Sequence, residues 1–155
     1  MEKQQIVISR DTALALKNAG IGQPSFFSYY TTGDTMRLEQ TENNGLPLVA
    51  AAYTATELLE LLPGGLDIDE NTWVAAERSW VHPTEDELSY PYAHLSIVKS
   101  LGGSYVVAYY HRSRNIAFRK TADGKAENLL FGEDNPAESL ALMALALLEE
   151  GKLLL

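Results

Sequence analysis

The sequence predicts an α+β domain: a mostly antiparallel sheet of strand hairpins and a meander, with about three helices packed on one side. Three observations carry that expectation. Capped, leucine-rich stretches occur near the start, in the middle and at the end of the chain; the segments between them alternate or are rich in aromatic and β-branched residues; and those strand segments come in runs joined by glycine turns, not one for one with helices as in a parallel βαβ array. With 155 residues, 46% hydrophobic and 21% charged, residues 1–155 are expected to form a single globular domain with its own core.

The first helix is expected over Arg10 to Asn18, with Ser9 as its cap, Leu14 and Leu16 among its apolar positions and Gly20 as its stop. Ile6 and Ile8 before it suit a short strand. Residues 25–31, S-F-F-S-Y-Y-T, read as a strand, T-G-D as a turn, and residues 36–40 as the partner of a hairpin. Residues 48–53 suit a third strand. Thr54 and Glu57 then form a capping box that opens a short helix bearing Leu58, Leu59, Leu61 and Leu62, closed by Pro63-Gly64-Gly65.

Residues 66–92 hold both tryptophans, Trp73 and Trp80, and are expected to form a strand or short helix followed by a polar, acidic loop. From Ala93 a strand runs to a Gly102-Gly103 turn and returns through S-Y-V-V-A-Y-Y-H. Asn115 to Lys120 is expected to add one further strand, and Asp123-Gly124 to turn the chain into another that reaches Phe131. The last helix lies between Asn135 and Gly151. Asn135 suits the N-cap, Pro136 the first helical position, and Glu138 stands where its carboxylate can reach back to the cap's own N–H. Projected at about 100° per residue, Leu140, Met143 and Leu147 form its core stripe. Leu142 and Leu145 fall nearly opposite, where they must meet another helix, the tail 153–155 or a second subunit.

The stretches L-A-L-K-N-A-G, A-A-A-Y-T-A-T-E-L-L-E-L-L-P and P-A-E-S-L-A-L-M-A-L-A-L-L-E-E-G together resemble small acidic proteins of unknown function from bacterial prophages and other mobile elements. The resemblance implies an α+β fold, a cytoplasmic bacterial setting and an accessory role. It brings no catalytic residues.

Several function classes are excluded or disfavoured by composition. Cysteine is absent, which removes disulfides, thiol nucleophiles and thiolate metal sites. No signal segment and no apolar run of the roughly 20 residues that span a bilayer are present, so a cytoplasmic protein without membrane contact is expected. A net charge of -9 opposes sequence-independent nucleic-acid binding by the chain as a whole.

His82, His94 and His111 follow no metalloprotease spacing, and neither a nucleophile elbow nor a P-loop accompanies them. Pairing about Gly102-Gly103 sets Ala93 or His94 roughly opposite His111, so the two histidines could face each other across the hairpin and, with a carboxylate nearby, bind a metal; a small metal-assisted hydrolase is therefore one alternative reading. D-I-D-E-N, from Asp67, begins like a calcium loop but has Thr72 and Arg78 where glycine and glutamate are needed. Arg112, Arg114, Arg119, Lys120 and Lys125 cluster near Tyr105, Tyr109 and Tyr110. That combination suits phosphate or single-stranded nucleic acid, a second alternative, with Tyr109, Arg112, Arg114 and Arg119 as the binding residues; edge protection of a solvated strand explains the same charges. The leading expectation is a non-enzymatic protein-binding or regulatory module, needing no cofactor or metal, that pairs with a protein partner or as a homodimer through Leu142 and Leu145.

Overall fold

The computed structural model describes residues 6–22, 24–41, 46–67, 92–111, 114–115, 118–120 and 126–154. The fold is α+β, as the sequence predicts, and among the described residues the strands are distributed over three antiparallel sheets. The readings of Trp73 and Trp80, the calcium-like loop beyond Asp67, His82, Arg112, Asp123-Gly124 and Lys125 lie outside the described residues.

Helix α1 (Arg10–Asn18) starts at Ser9, whose hydroxyl accepts from the Thr12 N–H, and buries Ala13 and Leu16. It ends as a Schellman motif: Gly20 takes φ 95° and donates to Lys17 O, and the Ile21 N–H reaches Leu16 O at 3.0 Å. Ile21 and Leu16 are both buried, the apolar contact that accompanies this turn. Before α1, Val7 forms an isolated bridge to Thr54 where a short strand was expected.

Strands β1 (Phe27–Thr32) and β2 (Thr35–Gln40) form the expected hairpin, with Gly33 at φ 61° in the turn. β3 (Leu48–Ala51) pairs with the other edge of β1, with a register shift between Tyr29 and Tyr30. The alanines of β3 suit this place: Ala50 fits beneath α1 without displacing it, and the edge carbonyl of Val49 is taken by the Lys17 ammonium at 2.6 Å. Helix α2 (Ala55–Leu61) opens with the predicted capping box and sends Leu58 into the core.

β4 (Gly65–Asp67), β5 (Tyr92–Lys99), β6 (Tyr105–His111) and β10 (Leu130–Glu133) make the larger sheet in the order β10-β6-β5-β4. Gly103, at φ 95°, turns β5 into β6. Between β6 and β10 lie β7 (Arg114–Asn115), β8 (Phe118–Lys120) and β9 (Ala126–Asn128). The single strand expected over Asn115 to Lys120 is therefore two strands in different sheets. The reason is competition for one edge: β10 pairs with β6 from Tyr105 to Ala108, so β7 gets only Tyr110 and His111, while β8 pairs with β9.

Helix α3 (Pro136–Glu149) touches α1, α2, β6 and β10 and lies at the centre of the core. Leu140, Met143 and Leu147 are fully buried, so the core stripe read from the sequence is the observed one. Its C-terminus is a second Schellman motif. Gly151, at φ 68°, donates to Leu148 O, and the Lys152 N–H reaches Leu147 O at 2.8 Å. This turn directs Leu153 back into the core. Leu145 and Leu142 are each half-buried, and Leu145 packs against the core cluster. Leu145 is thus met inside the chain, while Leu142 is not among the residues packed on the core cluster.

At its other end, α3 is stitched to its surroundings by the first-turn residues. Asn135 Oδ1 accepts from the Ala137 N–H, while its Nδ2 donates to Val7 O at 2.7 Å. Ser139, buried, donates to Tyr105 O at 2.6 Å and accepts from the Glu133 N–H at 2.9 Å, joining the helix to the ends of β6 and β10. Glu138 departs from expectation. Its carboxylate turns to α1, accepting the Ser9 N–H and, at 2.7 Å, the Thr12 hydroxyl. It does so because α1 presents an N-terminal N–H and a hydroxyl beside it, and the positive end of that helix favours the anion.

Candidate functional site

Of the residues singled out in the sequence for the basic hairpin, Tyr109 is described with its surroundings, Arg114 and Arg119 by their strand register, and Arg112 lies outside the described residues. Tyr109 corrects the expectation for the basic hairpin: it is 0% exposed, on the core-facing side of β6 with Val107, and its hydroxyl donates to Pro63 O at 2.6 Å. Burial pushes that hydroxyl well above the usual tyrosine range. A ring in this position cannot stack on a nucleotide. Arg114 stands in β7 opposite His111, and Arg119 in β8 opposite Glu127.

The histidine pair is also corrected. The register of the hairpin sets His94 opposite Tyr110, and His111 opposite Arg114, so the two histidines are not cross-strand partners. Among the described residues no group of three or more potential ligands is placed to hold a metal ion.

A different feature forms where the entry to β1, the exit from β2 and the start of α2 converge. Pro24, Ser25, Phe26, Gln40, Thr41 and Glu57 line a cleft of about 540 Å³. Glu57 is its organiser. As part of the α2 capping box, Oε2 accepts the Thr54 N–H at 2.7 Å and the Thr54 hydroxyl at 2.8 Å. The same carboxylate reaches the segment leading into β1, where Oε1 accepts the Phe26 N–H at 2.9 Å and Oε2 faces the Ser25 hydroxyl at 3.2 Å. The Ser25 proton is shared with Ala52 O at 3.1 Å.

These bonds fix Phe26. Its N–H is held by Glu57 and its carbonyl accepts from the Thr41 N–H at 2.7 Å, so the backbone is committed on both sides while the ring is 75% exposed. The hydroxyls of Ser28 and Thr41, 2.7 Å apart, brace the same wall. A second hollow of about 360 Å³ shares Pro24, Ser25 and Thr41 and continues along β3 to α1, where Ala13, Ile21 and Leu48 give it an apolar lining. The two hollows adjoin at these three shared residues and are together called the trough.

Burial raises the Glu57 carboxyl, but the Thr54 N–H and hydroxyl, the Phe26 N–H and the Ser25 hydroxyl together outweigh it, and the group is held below its ordinary value of 4.5. Such a carboxylate is a fixed anion at neutral pH and a poor proton acceptor. The sign of its effect on stability follows. Below the ordinary value the unfolded chain binds a proton more readily than the folded one, so the contribution of Glu57 is present above about pH 4.5 and is lost as the pH falls through the lower folded value. Urea unfolding at pH 7 and pH 3 is expected to show a smaller acid-induced drop in midpoint for Glu57→Gln than for the native chain. An equal drop in both would mean that Glu57 is not part of the acid response.

The capping box was visible in the sequence. The second role of Glu57, and the exposure of Phe26, were not, because both depend on where residues 25–26 pass relative to α2. Strand alternation could not have supplied the signal, because Phe26 precedes β1 and the consecutive Ser28, Tyr29 and Tyr30 within β1 are all buried. No family model, no curated protein and no solved structure matches this chain. Among the described residues no helix is long and apolar enough to cross a membrane.

Proposed function

We propose that this chain is a non-enzymatic protein-binding module that uses the trough beside Phe26 as its docking surface. The observation that carries the reading is Phe26: a large aromatic residue, 75% exposed, whose backbone is hydrogen-bonded on both sides and which lines a cleft. With its backbone already fixed, such a residue has only two side-chain torsions left to order when a partner covers it, which favours it as an anchor. The acidic, cytoplasmic accessory role implied by the resemblance to prophage-borne proteins is compatible with this reading and belongs to the same proposal. Of the two leucines that called for a second subunit, Leu145 packs against the core of its own chain.

The test is a random peptide library displayed on phage and panned against the purified chain, with Phe26→Asp as the counter-screen. Enriched peptides are expected to bind the native chain and to lose at least about tenfold in affinity, or roughly 1.4 kcal/mol, on the variant. No enrichment over an unrelated acidic protein, or equal binding to Phe26→Asp, would remove the trough as a docking surface.

A further inference from the structure

The charge of the cleft points to the chemistry of its occupant. Glu57 Oε2 is crowded by the Thr54 N–H, the Thr54 hydroxyl and the Ser25 hydroxyl, whereas Oε1 accepts only the Phe26 N–H among the described residues. An ionised carboxylate oxygen has room for a second donor. Among the described residues the partners of the Glu57 carboxylate are the Thr54, Ser25 and Phe26 donors, with no cation among them. Lys17, which lines the second hollow, donates to Val49 O. The chain as a whole carries -9, so its field draws cationic partners toward any exposed carboxylate.

The surroundings of that oxygen narrow the choice. Phe26 lines the same cleft, and an aromatic side chain and a carboxylate on one cleft suit a guanidinium or ammonium, which gains from both. Among the described residues that line the adjoining hollow, Lys17 is the charged one, and Ala13, Ile21 and Leu48 give it an apolar surface that accepts an apolar side chain. We infer that the trough takes a peptide segment of a protein partner in which a basic residue is followed by an apolar one, the basic head on Glu57 Oε1 and Phe26, the apolar side chain in the hollow beside β3. This inference rests on the docking reading above and specifies its ligand.

The experiment titrates the native chain, labelled with ¹⁵N, with three blocked peptides: acetyl-Ala-Arg-Leu-Ala-amide, acetyl-Ala-Gln-Leu-Ala-amide and acetyl-Ala-Glu-Leu-Ala-amide. The arginine peptide is expected to move the amide signals of Phe26, Thr41 and Glu57 in a saturable way, to bind about tenfold more tightly than the glutamine peptide, and to weaken with added salt. Glu57→Gln is expected to abolish most of the preference for arginine. Because the three peptides are compared on the native chain, the result stands even where that variant folds poorly. Equal affinity for the arginine and glutamine peptides at these amides would overturn the basic-ligand inference and leave the docking reading in place. Absence of saturable changes at Phe26, Thr41 and Glu57 with any of the three would overturn both.

Discussion

Replacing Leu140 by alanine is expected to lower the unfolding free energy by about 3 kcal/mol, within the usual range of roughly 2–5 kcal/mol for a buried leucine. Leu140 is 0% exposed, and α3 meets α1, α2, β6 and β10, so the lost methyl groups leave a hole walled by several elements that cannot all close on it. Met143 and Leu147 lie on the same stripe and belong to the same cluster. Leu142→Ala is the control. It is half-buried, and alanine suits a helix at least as well as leucine, so its loss is expected to stay below about 1 kcal/mol. Urea unfolding curves of the two variants, compared by midpoint at an unchanged slope, measure both effects. Similar losses for Leu140→Ala and Leu142→Ala would mean that the stripe does not divide the helix as described.

The second large effect is expected at Glu138. Its carboxylate takes the Ser9 N–H and the Thr12 hydroxyl, and so supplies α1 with an N-terminal acceptor from a helix more than a hundred residues away in the chain. Hydrogen bonds to an ionised acceptor contribute about 1.5–3 kcal/mol each in favourable cases; because this site is partly solvated, the expected loss for Glu138→Ala is about 2 kcal/mol in total. A double-mutant cycle between Glu138→Gln and Thr12→Val isolates the contact, with an expected coupling of about 1 kcal/mol. Strict additivity of the two substitutions would show that the carboxylate and the hydroxyl do not cooperate. The same carboxylate, after burial, is one of the two influences that raise the Tyr29 hydroxyl above its ordinary value, against a smaller lowering by Arg10, and that hydroxyl donates to Ile8 O at 2.8 Å. The Glu138 contact is therefore part of a junction that holds residues 7–9 between α3 and β1.

Legibility followed the range of the interactions. Helix starts and stops depend on neighbours within a turn, and Ser9, Gly20, Thr54, Glu57, Asn135 and Gly151 all do what their local chemistry predicts. The two hairpins turn at Gly33 and Gly103, as their glycines foretold. The same local logic failed at Glu138, where a capping box with Asn135 lost to acceptors needed by another helix, and at residues 115–120, where β10 had already taken most of the edge of β6. Tyr109 was misjudged for a related reason. Strand alternation says that Tyr109 and Tyr110 face opposite ways, but not which face receives α3.

The candidate site shows the same division. Sequence alone determined that Glu57 would be an ionised capping residue, that α3 would bury Leu140, Met143 and Leu147, and that the chain would be acidic overall, because each of these depends on residue type and spacing within a few positions. Only the tertiary structure decided that the Glu57 carboxylate also grips the segment before β1, that Phe26 is exposed there, and that Leu145 and Leu153 join the core of their own chain. Those outcomes depend on which distant segments arrive at the same place, and periodicity along a chain carries a helix's or strand's face but not the identity of what will cover it.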